Sequence, residues 1–137
     1  MSTEEVRLAV PALPEYVRLA RLTAVGLASR LGFTFDDVED LRIAVDELCY
    51  LLVGAEGRPG SITLTFAMDG TGLVITGRGP AAAPPSDRSG SAPWANVGPA
   101  EFAELSEQIL SAVVDEYDAT REDGTVTIRM VRHGRGA

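Results

Sequence analysis

An α+β domain, with a largely antiparallel or mixed sheet carrying its helices on one face, is the fold class this sequence predicts. Three observations lead there. Asp69-Gly70 and Asp123-Gly124 each separate two alternating apolar segments, the pattern of a tight hairpin. Two long segments of helical periodicity follow one another directly, so helices do not alternate one-for-one with strands as a parallel sheet requires. A chain of 137 residues with 45% hydrophobic and 23% charged side chains suits one globular domain with its own core.

The elements follow in order. Val6 to Val10 alternates and stops at Pro11, which predicts a short edge strand. Pro14 opens a helix, because the first helical position needs no N–H. Val17, Leu19, Ala20, Leu22, Ala24, Val25, Leu27, Ala28 and Leu31 give that helix a wide apolar face, and Gly32 closes it. Thr34 caps a second helix with Asp37 at the reciprocal capping position, and the acidic run Asp36, Asp37, Glu39 and Asp40 suits the positive end of the dipole. Its apolar positions from Val38 to Leu52 are too many for one stripe, so it is expected to be buried on more than one side before ending at Gly54.

Ser61 to Ala67 alternates strictly with Ile62, Leu64 and Phe66 inward, and Gly72 to Thr76 returns as its hairpin partner. Residues from about 77 to 98 are rich in Gly, Pro, Ala and Ser without apolar period, and a loop of that length is either functional or disordered. Pro99 opens a third helix with Phe102, Leu105, Ile109, Leu110, Val113 and Val114 on its buried face. Tyr117 to Arg121 and Gly124 to Val131 form the closing hairpin, and the segment from His133 is expected to fray.

A formal charge of −8 argues against direct nucleic-acid binding, since phosphate contacts need a basic surface, and favours a basic partner patch. Every cation is Arg, which removes any P-loop reading because that motif needs Lys. The acidic, polar start and the absence of a long apolar run predict a cytoplasmic protein with neither signal peptide nor membrane span. One cysteine, Cys49, excludes an internal disulfide and reads as a small buried hydrophobe. His133 has no Ser, Cys or ligand cluster near it in sequence, so neither a triad nor a zinc site is supported. Trp94 is expected to anchor the long loop onto the sheet.

The most informative stretch is Phe33 to Cys49, a capped helix with the acidic pair Asp46-Glu47 set among apolar residues. It resembles the helix that carries the catalytic carboxylate in GHKL-type (Bergerat-fold) ATPases, in the form found in RsbW-like anti-sigma factors and serine kinases. The likeness covers most of Val6 to Arg132, is strongest from Arg21 to Cys49, and is looser over Ile109–Asp118 and Gly124–Met130. It implies a two-layer Bergerat sandwich occupying residues 1–132, with a long loop at about 77–98 and a flexible tail at 133–137.

The resemblance also implies an ATP site built from three motifs, and this chain departs from each. The first is Glu-x-x-x-Asn, whose Glu activates the nucleophile and whose Asn holds Mg²⁺; here Glu47 is followed by Leu51, which has no oxygen to offer a cation that demands an oxygen shell. The second is Asp-x-Gly-x-Gly after the central hairpin, where this chain has Thr76-Gly77-Arg78-Gly79-Pro80 and no carboxylate. The third is a Gly-rich lid, reduced here to Val97-Gly98-Pro99-Ala100-Glu101-Phe102. Glu47 is therefore expected to be a catalytic relic, with neither ATP nor Mg²⁺ as cofactor.

The family further places an Arg, followed two residues later by Thr, against acidic residues of its sigma factor and of the competing STAS-type anti-anti-sigma protein. Arg21-Leu22-Thr23 matches, and the planar guanidinium fork suits a carboxylate. The implied function is an anti-sigma factor that sequesters an alternative sigma factor by stoichiometric binding, is countered by a STAS-type protein, and pairs as a homodimer. The alternatives are an active serine kinase of that anti-anti-sigma protein, or an interaction module without a sigma partner.

Overall fold

The computed structural model describes residues 4–80 and 99–135, and within 99–106 the only side chain described is that of Leu105. Five strands form one sheet in the order β1-β2-β3-β5-β4, with β1 at Glu5–Pro11, β2 at Ser61–Asp69, β3 at Gly72–Pro80, β4 at Glu116–Glu122 and β5 at Thr125–His133. Every pairing is antiparallel, so the fold is the expected α+β class and, among the described strands, none is parallel to its neighbour. Helices α1 (Val17–Arg30), α2 (Phe35–Val53) and α3 (Pro99–Val113) complete it, with α2 packed between α1 and α3 and against β3 and β5.

Local chemistry sets the boundaries. A 3₁₀ turn at Pro14–Tyr16 leads into α1. The helix ends in a Schellman motif: Phe33 N–H donates to Ala28 O at 3.1 Å and Gly32 N–H to Ser29 O at 3.2 Å, with Gly32 at φ +78°. Thr34 then caps α2 reciprocally, its Oγ1 accepting from Asp37 N at 3.1 Å while its own N–H donates to Asp37 Oδ2 at 3.0 Å. The β4–β5 turn places both Asp123 and Gly124 at positive φ (51° and 76°), which is why this two-residue loop matches the strand twist.

The core lies between the sheet and α2. Ile62, Leu64 and Phe66 face inward as the alternation requires, joined by Leu73, Ile75, Ile128 and Met130 from the neighbouring strands and by Leu41, Val45, Leu48 and Leu52 from α2. Gly77 and Gly79 allow the helix to approach β3: a Cβ on Gly77 would sit 2.7 Å from Leu48 Cδ2 and from Leu52 Cδ1, and one on Gly79 would sit 2.9 Å from Ile62 Cγ2.

Four expectations need correction. Leu19 and Leu22 do not belong to the buried face of α1, which is Ala20, Ala24, Leu27 and Ala28; Leu22 stays 61% exposed. Leu105 is likewise exposed, whereas Leu110 and Val114 are buried. The loop does not begin at residue 77, because β3 pairs with β5 through Pro80. Nor does the chain fray at His133: β5 includes it, and Arg135 N–H donates to Asp37 Oδ2 at 3.0 Å. Trp94, Gly98 and the side chain of Phe102 lie outside the described residues.

Candidate functional site

Helix α2 carries the residues singled out by sequence. Glu47 sits on it half-buried and engaged with a neighbour, and Leu51 lies one turn later on the same side. Leu51 lines a cavity of about 240 Å³ between the C-terminal end of α2, α3 and the inner side of β4–β5. The cavity exists because the helical layer stops short of the sheet edge, leaving Ala119 exposed although it follows Tyr117 on the inward-facing side of β4. Val126 and Ile128 give it an apolar floor, while Arg58, Tyr117 and Arg121 supply polar groups and Glu107 comes from α3.

Arg58, in the segment between α2 and β2, closes α2. Its Nη1 donates to Leu52 O at 2.8 Å and Leu51 O at 3.2 Å, putting a cation where the helix dipole is negative. Burial, and after it the nearby Arg121 guanidinium, lower the Arg58 pKa from its ordinary value, with Tyr50 acting in the opposite direction. Burial, with Glu107 and Asp118 nearby, raises the Tyr117 phenol. A cation soon after a Gly-terminated helix is a sequence signal that could have flagged Arg58. Its meeting with Arg121, 63 residues away, had none.

Arg21 lies on α1 and reaches α2. Its Nε and Nη2 both approach Asp46 Oδ1 at 2.9 Å, a half-exposed pair that ties the two helices. A partner carboxylate seeking Arg21 would therefore meet Asp46 first. Next to that pair, Cys49 is fully buried; burial, helped by Asp46 and opposed by Arg21, pushes its thiol up to about 12. It is a packed hydrophobe with no thiolate chemistry at neutral pH.

A second polar cluster, absent from the sequence reading, sits at the other end of α2. The inward series Val126, Ile128, Met130 continues to Arg132, so an Arg occupies a core position on β5. Its Nη2 donates to Asp37 Oδ1 at 2.8 Å and Asp40 Oδ2 at 3.0 Å, while Nε and Nη1 are buried without a hydrogen bond. Burial opposes the charge on Asp37, but hydrogen bonds from the Thr34 and Arg135 amides, the Thr34 side chain and Arg132 outweigh it and hold its carboxyl below the usual range. The strand alternation carried to Arg132, set against a nearby acidic cap, was the available signal.

A family model described as Histidine kinase-like ATPase domain matches residues 10–132. Serine-protein kinase RsbW of Bacillus velezensis is 54% identical over 48 residues, 35% of this chain and 30% of the relative. The proteins of the same name from Bacillus subtilis and Halalkalibacterium halodurans are 41% identical over 70 residues and 40% identical over 79, covering 49% and 56% of this chain and 44% and 49% of the relatives. The matched segments thus span less than half of each of these relatives' length.

Proposed function

The chain belongs to the histidine kinase-like ATPase domain family as an RsbW-like member, and from that premise we propose that it is an anti-sigma factor acting by stoichiometric binding. It sequesters a sigma factor and yields it to a STAS-type anti-anti-sigma protein, without phosphorylating either. The observation that supports this reading is Leu51: the side chain one turn after Glu47 on α2 is a hydrocarbon with no oxygen to offer Mg²⁺, and it lines the cavity at the C-terminal end of that helix. The carbonyls of Leu51 and Leu52 are already engaged by Arg58, so the backbone there offers little compensation, and a guanidinium beside them repels a divalent cation.

No catalytic step follows from such a site. Glu47 remains as a relic of the fold, and release of the sigma factor depends on the relative affinities of the two partners and on the antagonist's own modification state. Arg21, at the α1–α2 seam, is the partner-contact residue in this reading. The sheet face away from the helices, which carries Arg7, Thr63, Thr65 and Arg78, is the surface on which a homodimer would form.

Calorimetric titration with Mg-ATP tests the reading directly: no saturable heat is expected up to ~1 mM, where the binding free energy is already only ~4 kcal/mol. Replacing Arg21 with Glu is expected to weaken sigma-factor binding by ~2 kcal/mol, the scale of breaking an interfacial charge contact. Unchanged affinity would remove Arg21 from the interface.

One observation favours a second reading. The relatives named serine-protein kinase are 40–54% identical over the matched segments, so phosphate transfer to a serine of a STAS partner, with Glu47 as base, is the competing activity. Radiolabelled phosphate on that partner after incubation with Mg-ATP would establish it.

A further inference from the structure

We infer that the cavity beside Leu51 binds a small organic anion, smaller than a nucleotide, and does so without a metal ion. The inference rests on the reading above that Mg-ATP is not the ligand of this site. The first support is charge. In a chain of net charge −8, the fold brings two guanidiniums, Arg58 and Arg121, to the wall of one cavity. Among the described residues neither forms an ion pair, and Glu107 is the one carboxylate among the residues lining that cavity. The two cations are close enough for Arg121 to disfavour the charge on Arg58. An anion held between them removes that repulsion.

The second support is unused donors. Arg58 commits Nη1 to the α2 carbonyls, which fixes the side chain, and leaves Nε and Nη2 with no hydrogen bond among the described residues. Arg121 and the Tyr117 hydroxyl are in the same state. Guanidinium forks of this kind match a carboxylate or phosphate, and a phenol adds a third donor. The third support is shape and polarity. Leu51, Val126 and Ile128 form an apolar floor, which gives the body of a ligand a dry surface that a bare inorganic ion would not use. At about 240 Å³ the cavity falls under the ~300–1,000 Å³ common for drug-sized ligands, so the occupant is small.

The test uses the full chain in EDTA, titrated calorimetrically with phenyl phosphate, benzoate and inorganic phosphate, with Mg-ATP in a separate arm without chelator. One-site binding of phenyl phosphate or benzoate is expected, tighter than that of inorganic phosphate. Arg121→Ala, at an exposed strand position, should fold normally and weaken it by ~10-fold, the loss that ~1.4 kcal/mol represents. Which of the two organic probes binds more tightly distinguishes a phosphate from a carboxylate ligand. No saturable binding of either, or binding untouched by Arg121→Ala, overturns the inference while leaving the anti-sigma reading intact. Inorganic phosphate binding as tightly as phenyl phosphate overturns the organic ligand. Saturable Mg-ATP binding with no metal-free binding overturns this inference together with the reading that Mg-ATP is not the ligand of this site.

Discussion

The two ends of α2 handle charge in opposite ways. At the N-terminal end, Asp37 accepts from the Thr34 and Arg135 amides and from Arg132, all within a buried cluster, and the dipole favours its charge. At the C-terminal end, Arg58 satisfies two carbonyls of the helix, its Nε and Nη2 have no hydrogen bond among the described residues, and it lines a cavity with a second guanidinium. The first end ties the helix to the last strand through Arg132. The second is open and electrostatically incomplete, the condition expected of a surface that meets something else. Both ends cap one helix, yet Arg132 faces two carboxylates at the first, whereas two guanidiniums share a cavity wall at the second.

The largest expected effect tests the closed end. Asp37→Ala should destabilise the fold by ~3–5 kcal/mol in urea unfolding, because it leaves Arg132 buried with only Asp40 as partner. Adding Arg132→Met should restore part of that loss, since the remaining cost is then that of the cap alone. A loss below ~1 kcal/mol for the single variant would place this cluster in the class of surface pairs.

Next comes the open end. Arg58→Ala should cost ~1–2 kcal/mol, the value of charge-assisted bonds to two half-buried carbonyls. If it matched Asp37→Ala, the two ends would be structurally equivalent and the contrast between them would fail.

The smallest effect at neutral pH, and a growing one in acid, belongs to titration of Asp37. Its folded pKa lies below the ordinary 3.8, so it releases its proton more readily in the native state than in the unfolded one. Its stabilisation is therefore complete above that ordinary value and is lost as the pH falls below it toward the folded pKa. Urea midpoints measured from pH 6 down to pH 2.5 should show an acid-side loss that Asp37→Asn flattens. An unchanged slope in that variant would assign the loss to other carboxylates.

Most of the scaffold was legible because its signals are local. The Asp-Gly turns, the Thr34–Asp37 box, the Gly32 terminator and the alternation of β2 each depend on residues within a few positions of one another. Leu19, Leu22 and Leu105 are exposed despite their apolar periodicity, because periodicity reports which faces can be buried and the packed layers decide which are. Gly77 and Gly79, which fall where the resemblance puts a nucleotide motif, have a packing role against Leu48, Leu52 and Ile62. The Arg21–Asp46 seam shows the same division: sequence named the residues, and the docking of α1 on α2 joined them.

By itself, then, the sequence determined the α+β class, the hairpins and the helix caps, because these follow from side-chain chemistry and short-range periodicity; Leu51 stands out only against the pattern of the family the chain resembles. Only the tertiary structure decided that Arg132 is buried against Asp37 and that Arg58 and Arg121 share a cavity wall. Those outcomes join residues 63 to 95 positions apart, and their partners are chosen by how the sheet and helices pack, a quantity that no local pattern encodes.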